Sequence, residues 1–140
     1  MKNAVSIQIK NDLSELSRIK EIVGEFNRSH NLPLQAASAI SLALDEIITN
    51  IISYGYDDRK EHEISIQLSR QPGELILQIE DDGRRFNPLD FPQADTESAL
   101  DDRQIGGLGI YLVRSVMDDM EYGRHNEKNC LTMKKKLAGC

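Results

Sequence analysis

The sequence predicts an α+β domain of two layers, a mixed and mostly antiparallel sheet with helices packed on one face. Three observations carry that expectation. From about Leu34 to Tyr54, residues Ile40, Leu44, Ile47, Ile48 and Ile51 recur at spacings of three and four, which makes one buried helical stripe. Two alternating segments, with Ile64, Ile66 and Leu68 in one and Leu75, Leu77 and Ile79 in the other, flank Gln71-Pro72-Gly73 as a hairpin. The order along the chain is strand, helix, helix, strand, strand, long loop, helix, strand, strand. No repeat or linker interrupts it, so residues 1–140 read as one domain.

Taken in order, Ala4 to Ile9 alternates, with Val5, Ile7 and Ile9 on one face of a strand. Asn11-Asp12 supplies an N-cap for a first helix that carries Leu13, Leu16, Ile19, Ile22, Val23 and Phe26. Asn31-Leu32-Pro33 ends it, because proline cannot continue the hydrogen-bond ladder. The second helix stops at Gly55, a natural C-cap residue, ahead of Asp57-Asp58. After the hairpin, the chain runs directly into Glu80-Asp81-Asp82-Gly83. Residues Arg84 to Gln104 lose periodicity and collect prolines and acidic side chains, the pattern of a long loop with a short helical turn over Ser98 to Asp102. Gly106-Gly107-Leu108-Gly109 closes this loop and opens a third helix with Ile110, Leu112, Val113 and Val116-Met117 buried. Two last strands, near Met120–Arg124 and Cys130–Leu137, join through Asn126-Glu127-Lys128-Asn129.

Hydrophobic residues make up 39% of the chain and charged ones 29%, a globular balance. The net charge of -6 argues against a nucleic-acid surface, which needs clustered cations; Lys134-Lys135-Lys136 is too short a run to supply one. Cys130 and Cys140 cannot build a disulfide framework, and His30, His62 and His125 have no metal-ligand spacing. Neither a leader's apolar core nor a bilayer-spanning run is read, so the expected compartment is the cytoplasm.

Three stretches carry chemistry. Glu46 and Asn50 stand one helical turn apart at the border of the buried stripe. They are either the polar edge of an ordinary amphipathic helix or a carboxylate and an amide oxygen that hold water and a hard cation such as Mg²⁺. Asp81-Asp82-Gly83 at a strand end is either a turn or an acceptor for the exocyclic amine of adenine, with Gly83 letting the ring approach the backbone. The glycines before the third helix are either a pliant loop end or an anion site at a helix N-terminus. They match neither a Walker A loop nor a dinucleotide fingerprint.

Together, in this order, these stretches resemble the ATP-binding (Bergerat) fold shared by gyrase B, Hsp90, histidine kinases and MutL. Glu46-x-x-x-Asn50 looks like its N box, Asp81-x-Gly83 like its first glycine box and Gly107-x-Gly109 like its second, with the ATP lid between them. Within that superfamily the chain is most similar to the small bacterial anti-sigma-factor serine/threonine kinases. That likeness rests on Leu-Asp-Glu-x-x-x-Asn followed by Tyr-Gly-Tyr, on Asp-Asp-Gly-Arg-Arg-Phe-Asn-Pro, and on Gly-Gly-Leu-Gly-Ile-Tyr-Leu-Val with its following Met-Asp. The sequence carries no upstream dimerisation helix with a phospho-acceptor histidine, so a full histidine kinase is not expected.

The resemblance implies ATP and Mg²⁺ as cofactors. It implies Asn50 as metal ligand, Glu46 as general base or as the group that polarises the attacking hydroxyl, Asp81 with Gly83 at the adenine, and Gly107, Leu108 and Gly109 around phosphate. Some of these kinases carry a lid arginine that reaches the γ-phosphate, for which Arg103 is the best-placed candidate; such a cation stabilises charge spread over the transferring phosphoryl oxygens. The implied partners are a sigma factor and a small STAS-type anti-anti-sigma antagonist, phosphorylated on serine or threonine, with room for a homodimer and no role for nucleic acid or membrane. Two departures stand out: Arg85 replaces the second glycine of the first box, and Asn129-Cys130 stands where a Gly-Thr pair commonly opens the last strand. A non-catalytic ATP-binding adaptor, switching a partner through an ordered lid, is the alternative; Glu46 favours the kinase because an adaptor needs no base beside its metal.

Overall fold

Alternating apolar residues become strands wherever one side can be buried, and five such segments form one sheet. The computed structural model describes residues 3–90 and 107–137. Its elements run β1 (Ala4–Lys10), α1 (Leu16–Ser29), α2 (Leu34–Tyr54), β2 (Glu63–Gln71), β3 (Glu74–Asp81), α3 (Gly107–Val116), β4 (Asp119–His125) and β5 (Lys128–Lys136). The strand order is β1-β2-β3-β5-β4. All four pairings are antiparallel, so the sheet is antiparallel throughout where the element order had admitted a mixed one. The last strand in sequence thus lies inside the sheet. β3 and β4 run parallel to each other on either side of it.

One face of the sheet is the core. Ile7, Ile9, Ile64, Ile66, Leu68, Leu77 and Met133 are buried there against Ile19 and Val23 of α1 and the apolar stripe of α2. Each such side chain contributes roughly 1.5–3 kcal/mol of burial. The other face is polar, with Ser65 Oγ donating to Gln8 Oε1 at 2.7 Å and Gln78 Nε2 donating to the free thiol of Cys130 at 3.1 Å. By length and a mean hydropathy of 1.3, α2 is long and apolar enough to cross a bilayer, contrary to the sequence expectation. Its apolar side is the centre of this core instead: Ile40 and Ile48 are fully buried.

Several boundaries differ from expectation for local reasons. Asp12 caps a single 3₁₀ turn, Leu13–Glu15, by accepting from the Ser14 N–H at 2.9 Å, and α1 begins only at Leu16. Leu112 is 40% exposed, because Ile110, Val113 and Met117 already form the buried stripe of α3 and its C-terminal continuation. The last hairpin turns on Asn126-Glu127 alone, with φ of 52° and 63°, the left-handed pair of a type I′ turn; Lys128 and Asn129 belong to β5. Alternation in β5 is blurred because half-buried Lys135 reaches back to the carbonyl of Val116 at 2.8 Å, capping α3. The expected lid from Arg84 to Gln104 is described only as far as a 3₁₀ turn at Pro88–Asp90; the helical turn at Ser98 to Asp102 and Arg103 lie outside the described residues.

Candidate functional site

The buried rows of β3 and β5 are apolar until their ends at the α2 side of the sheet. There the row Leu75, Leu77, Ile79 finishes in Asp81, and the row Met133, Leu131 finishes in Asn129. Register sets these two polar residues opposite each other. Beside them lies a cavity of about 550 Å³, whose other wall is the last turns of α2 with Ile47, Asn50 and Tyr54. Phe86 and Arg84 from the strand exit and Tyr122 from β4 complete it. This is the size and the mostly apolar character of a small-molecule site with few polar groups.

Asp81 is only 6% exposed. Its Oδ1 accepts from the Gly83 N–H at 2.8 Å and from Asn129 Nδ2 at 3.1 Å, while Oδ2 takes no bond from the described residues. Burial pushes its carboxyl above the usual aspartate range, against the pull of those two donors. An acceptor kept at the wall of an apolar cavity suits a ligand that brings an N–H of its own. Asn50 is 8% exposed and lines the same cavity, deeper than the stripe border its spacing predicts. Its Nδ2 is buried with no hydrogen-bond partner, an orphan that an oxygen-rich ligand would satisfy. That fits a polyphosphate with a hard cation on the amide oxygen.

Glu46 does not line this cavity. It is half-buried one turn earlier on α2, with its carboxylate against the first turn of α3. A Cβ on Gly109 would fall onto that carboxylate, with Glu46 Cδ at 2.8 Å, so the missing side chain makes room for Glu46. Gly107 and Leu108 open α3 immediately before it. Gly83 has a different reason to be glycine. A Cβ there would stand 2.7 Å from the carbonyl oxygen of Gly55, the C-cap of α2, so its smallness is set by the close approach of helix end to strand end. The neighbouring Arg84 N–H donates to that same carbonyl at 2.8 Å.

Sequence reasoning missed the extent of one residue's part. Asn129 is 5% exposed, and its amide makes five hydrogen bonds. Oδ1 accepts from the Tyr122 hydroxyl, from Arg124 Nη1 at 3.0 Å and from the Phe86 N–H at 3.3 Å. Nδ2 donates to Asp81 Oδ1 and, at 2.8 Å, to the carbonyl of Arg84. The one sequence signal was its departure from the Gly-Thr pair that commonly opens the last strand. Arg85 lies over the Tyr122 ring at 5.6 Å from its centroid, outside the wall of the cavity. Among the described residues no group of three or more His, Cys, Asp or Glu side chains is placed to hold a metal.

With this geometry in view, comparisons with known proteins agree on one family. A family model described as a histidine kinase-like ATPase domain matches residues 9–135. The serine/threonine-protein kinase BtrW of Bordetella bronchiseptica is 31% identical over 94 residues, covering 67% of this chain and 66% of that protein. An anti-sigma F factor of Clostridium kluyveri is 24% identical over 135 residues, covering 96% and 94%. The serine-protein kinase RsbW of Bacillus subtilis is 28% identical over 92 residues, covering 62% and 57%. In fold, the chain matches the crystal structure of the RsbU and RsbW domains of Rv1364c from Mycobacterium tuberculosis. The TM-score is 0.65 at 12% identity, over 96% of this chain and 32% of that one.

Proposed function

Because the chain belongs to the histidine kinase-like ATPase family, we propose that it is an ATP- and Mg²⁺-dependent serine/threonine protein kinase that acts in the cytoplasm as an anti-sigma factor. It sequesters a sigma factor and phosphorylates a small STAS-type antagonist, which then no longer releases that sigma factor. Asp81 anchors the adenine amine, Asn50 holds Mg²⁺ against the phosphates, and the backbone from Gly107 through Leu108 to Gly109 receives the phosphate charge at the N-terminus of α3. Glu46 takes the proton of the attacking hydroxyl, and Arg103 answers the charge on the transferring phosphoryl group.

The observation that carries this reading is the arrangement on α2: Asn50 on the cavity wall shared with Asp81, and Glu46 one turn earlier against the opening turn of α3. A binding-only adaptor has no use for a carboxylate in that position. The test is transfer of labelled γ-phosphate to the cognate antagonist domain, beside calorimetric ATP binding on the same samples. Glu46→Gln is expected to lose about 10²–10⁴-fold in transfer while still binding ATP. Wild-type protein that binds ATP and antagonist yet never labels the antagonist is an adaptor. Transfer by Glu46→Gln at the wild-type rate removes Glu46 from the role of base.

A further inference from the structure

We infer that Asn129 is the positioning residue of the base pocket: its amide locks the Asp81 carboxylate so that Oδ2 alone faces the ligand, and thereby sets selectivity for 6-amino over 6-oxo purines. The inference deepens the proposed function and rests on its assignment of a purine to the cavity beside Asp81.

The geometry leaves the amide no freedom. Its oxygen receives three donors, from Tyr122, Arg124 and the Phe86 backbone, and its nitrogen faces two acceptors, Asp81 Oδ1 and the Arg84 carbonyl. A flipped amide would set an NH₂ against three donors and an oxygen against a carboxylate and a carbonyl. The donor aimed at Asp81 is therefore fixed. Without it, Asp81 keeps one tether, the N–H of Gly83 two residues along its own chain, which either carboxylate oxygen can accept by turning about the side chain. Two donors converging on Oδ1 remove that rotation. Oδ2 then presents lone pairs only, which attract a 6-amino group and repel a 6-oxo group.

Charges reach Asp81 from two sides, Asp82 beside it and Arg124 of β4, while burial and these carboxylates keep the Tyr56 phenol, just beyond α2, neutral. Arg124 Nη1 also donates to the Gly83 carbonyl at 3.1 Å, so the same β4–β5 hairpin holds both the carboxylate and its turn. The Asn129 donor favours the ionised carboxylate, in opposition to burial. An asparagine that served only the hairpin would leave the acid limb of ligand binding and the choice of base unmoved when its donor is removed.

The experiment measures ATP and GTP affinities of the full chain by calorimetry from acid to neutral pH. It compares wild type with Asn129→Ala, Asn129→Val, Asn129→Thr and Asp81→Asn, each checked by circular dichroism. Wild type is expected to prefer ATP and to lose that preference as Asp81 protonates. Loss of the Asn129 donor should weaken ATP about tenfold with little change for GTP, and should move the acid limb of ATP binding to higher pH. Asn129→Val, suited to a strand, gives the reading if the alanine variant does not fold, and Asn129→Thr, which returns one donor, should recover part of the loss. A folded Asn129→Ala or Asn129→Val protein with wild-type selectivity and an unmoved acid limb overturns the inference while leaving the purine assignment standing. If wild type binds ATP and GTP equally, the selectivity inference is overturned; if it binds neither, or Asp81→Asn binds ATP normally, the purine assignment itself fails.

Discussion

At the scale of single residues, the buried carboxylate of Asp81 costs the folded protein stability. Its folded-state titration is raised above the ordinary 3.8, mainly by burial, so the folded chain holds this proton more tightly than the unfolded one. Stability therefore falls as pH rises through that window, and the loss persists at neutral pH. Asp81→Asn keeps an oxygen for Gly83 and Asn129 and presents NH₂ where the ligand expects an acceptor. Its melting temperature should exceed wild type at pH 7, with the advantage fading in acid, and its ATP affinity should drop at least about tenfold. Melts and titrations on one preparation check both halves. The helix edge of Glu46 and Asn50 and the strand end of Asp81 were legible from spacing because helix and strand periods are local properties; the depth of Asn50 and the distance of Glu46 from the cavity were not. Asn129 was visible only as a departure from a family pattern, since its partner Asp81 is 48 residues away and faces it only through the β3–β5 register.

At the scale of elements, two glycines join three elements in opposite ways. A methyl at position 83 would meet backbone, the Gly55 carbonyl at the end of α2, which cannot withdraw without shifting helix against strand. Gly83→Ala should cost about 1–3 kcal/mol in urea unfolding. A methyl at position 109 would meet the movable end of Glu46 instead, so Gly109→Ala should unfold almost as wild type does while phosphotransfer falls because the carboxylate is displaced. Normal transfer by Gly109→Ala would show that Glu46 does not need the place it occupies. Helices, hairpin and glycine clusters were all readable in the sequence. The strand order was not, because the insertion of β5 between β3 and β4 depends on pairings between distant segments, and amphipathic patterns say which side is buried but not which neighbour does the burying.

For the whole molecule, His62 gathers three parts of the chain at one point. Its ring lies between Asp58, 2.9 Å from Nε2, and Asp82, 3.1 Å from Nδ1, and stacks on Tyr56 with centroids 4.2 Å apart. Its backbone N–H donates to the Asn11 side chain at 2.9 Å, tying in the entry to α1. The two aspartates, Asp58 first, raise its titration above 6.5. A raised histidine stabilises fully below its unfolded value and loses that contribution as pH rises through the folded one. His62→Gln should therefore be less stable than wild type at pH 6, with the gap closing on the alkaline side of the folded-state titration. Melts across pH 5.5 to 9 read it. A gap that is constant over this range would mean that packing on Tyr56, not charge, is what His62 contributes.

The place of β5 has a consequence for how the protein is made. Of the five strands it is made last, yet it fills the slot between β3 and β4 and carries the amide that holds Asp81. A chain released after β4 has Asp81 and every α2 residue named here, but β3 has a bare edge and the carboxylate has no second tether. Such a fragment has no cavity wall from β5 and offers an unpaired strand to other chains or to proteases. A ligand held in this cavity thus certifies that β5 has been made and inserted, and chains that stop short of it lack the wall that Asn129 and Leu131 supply.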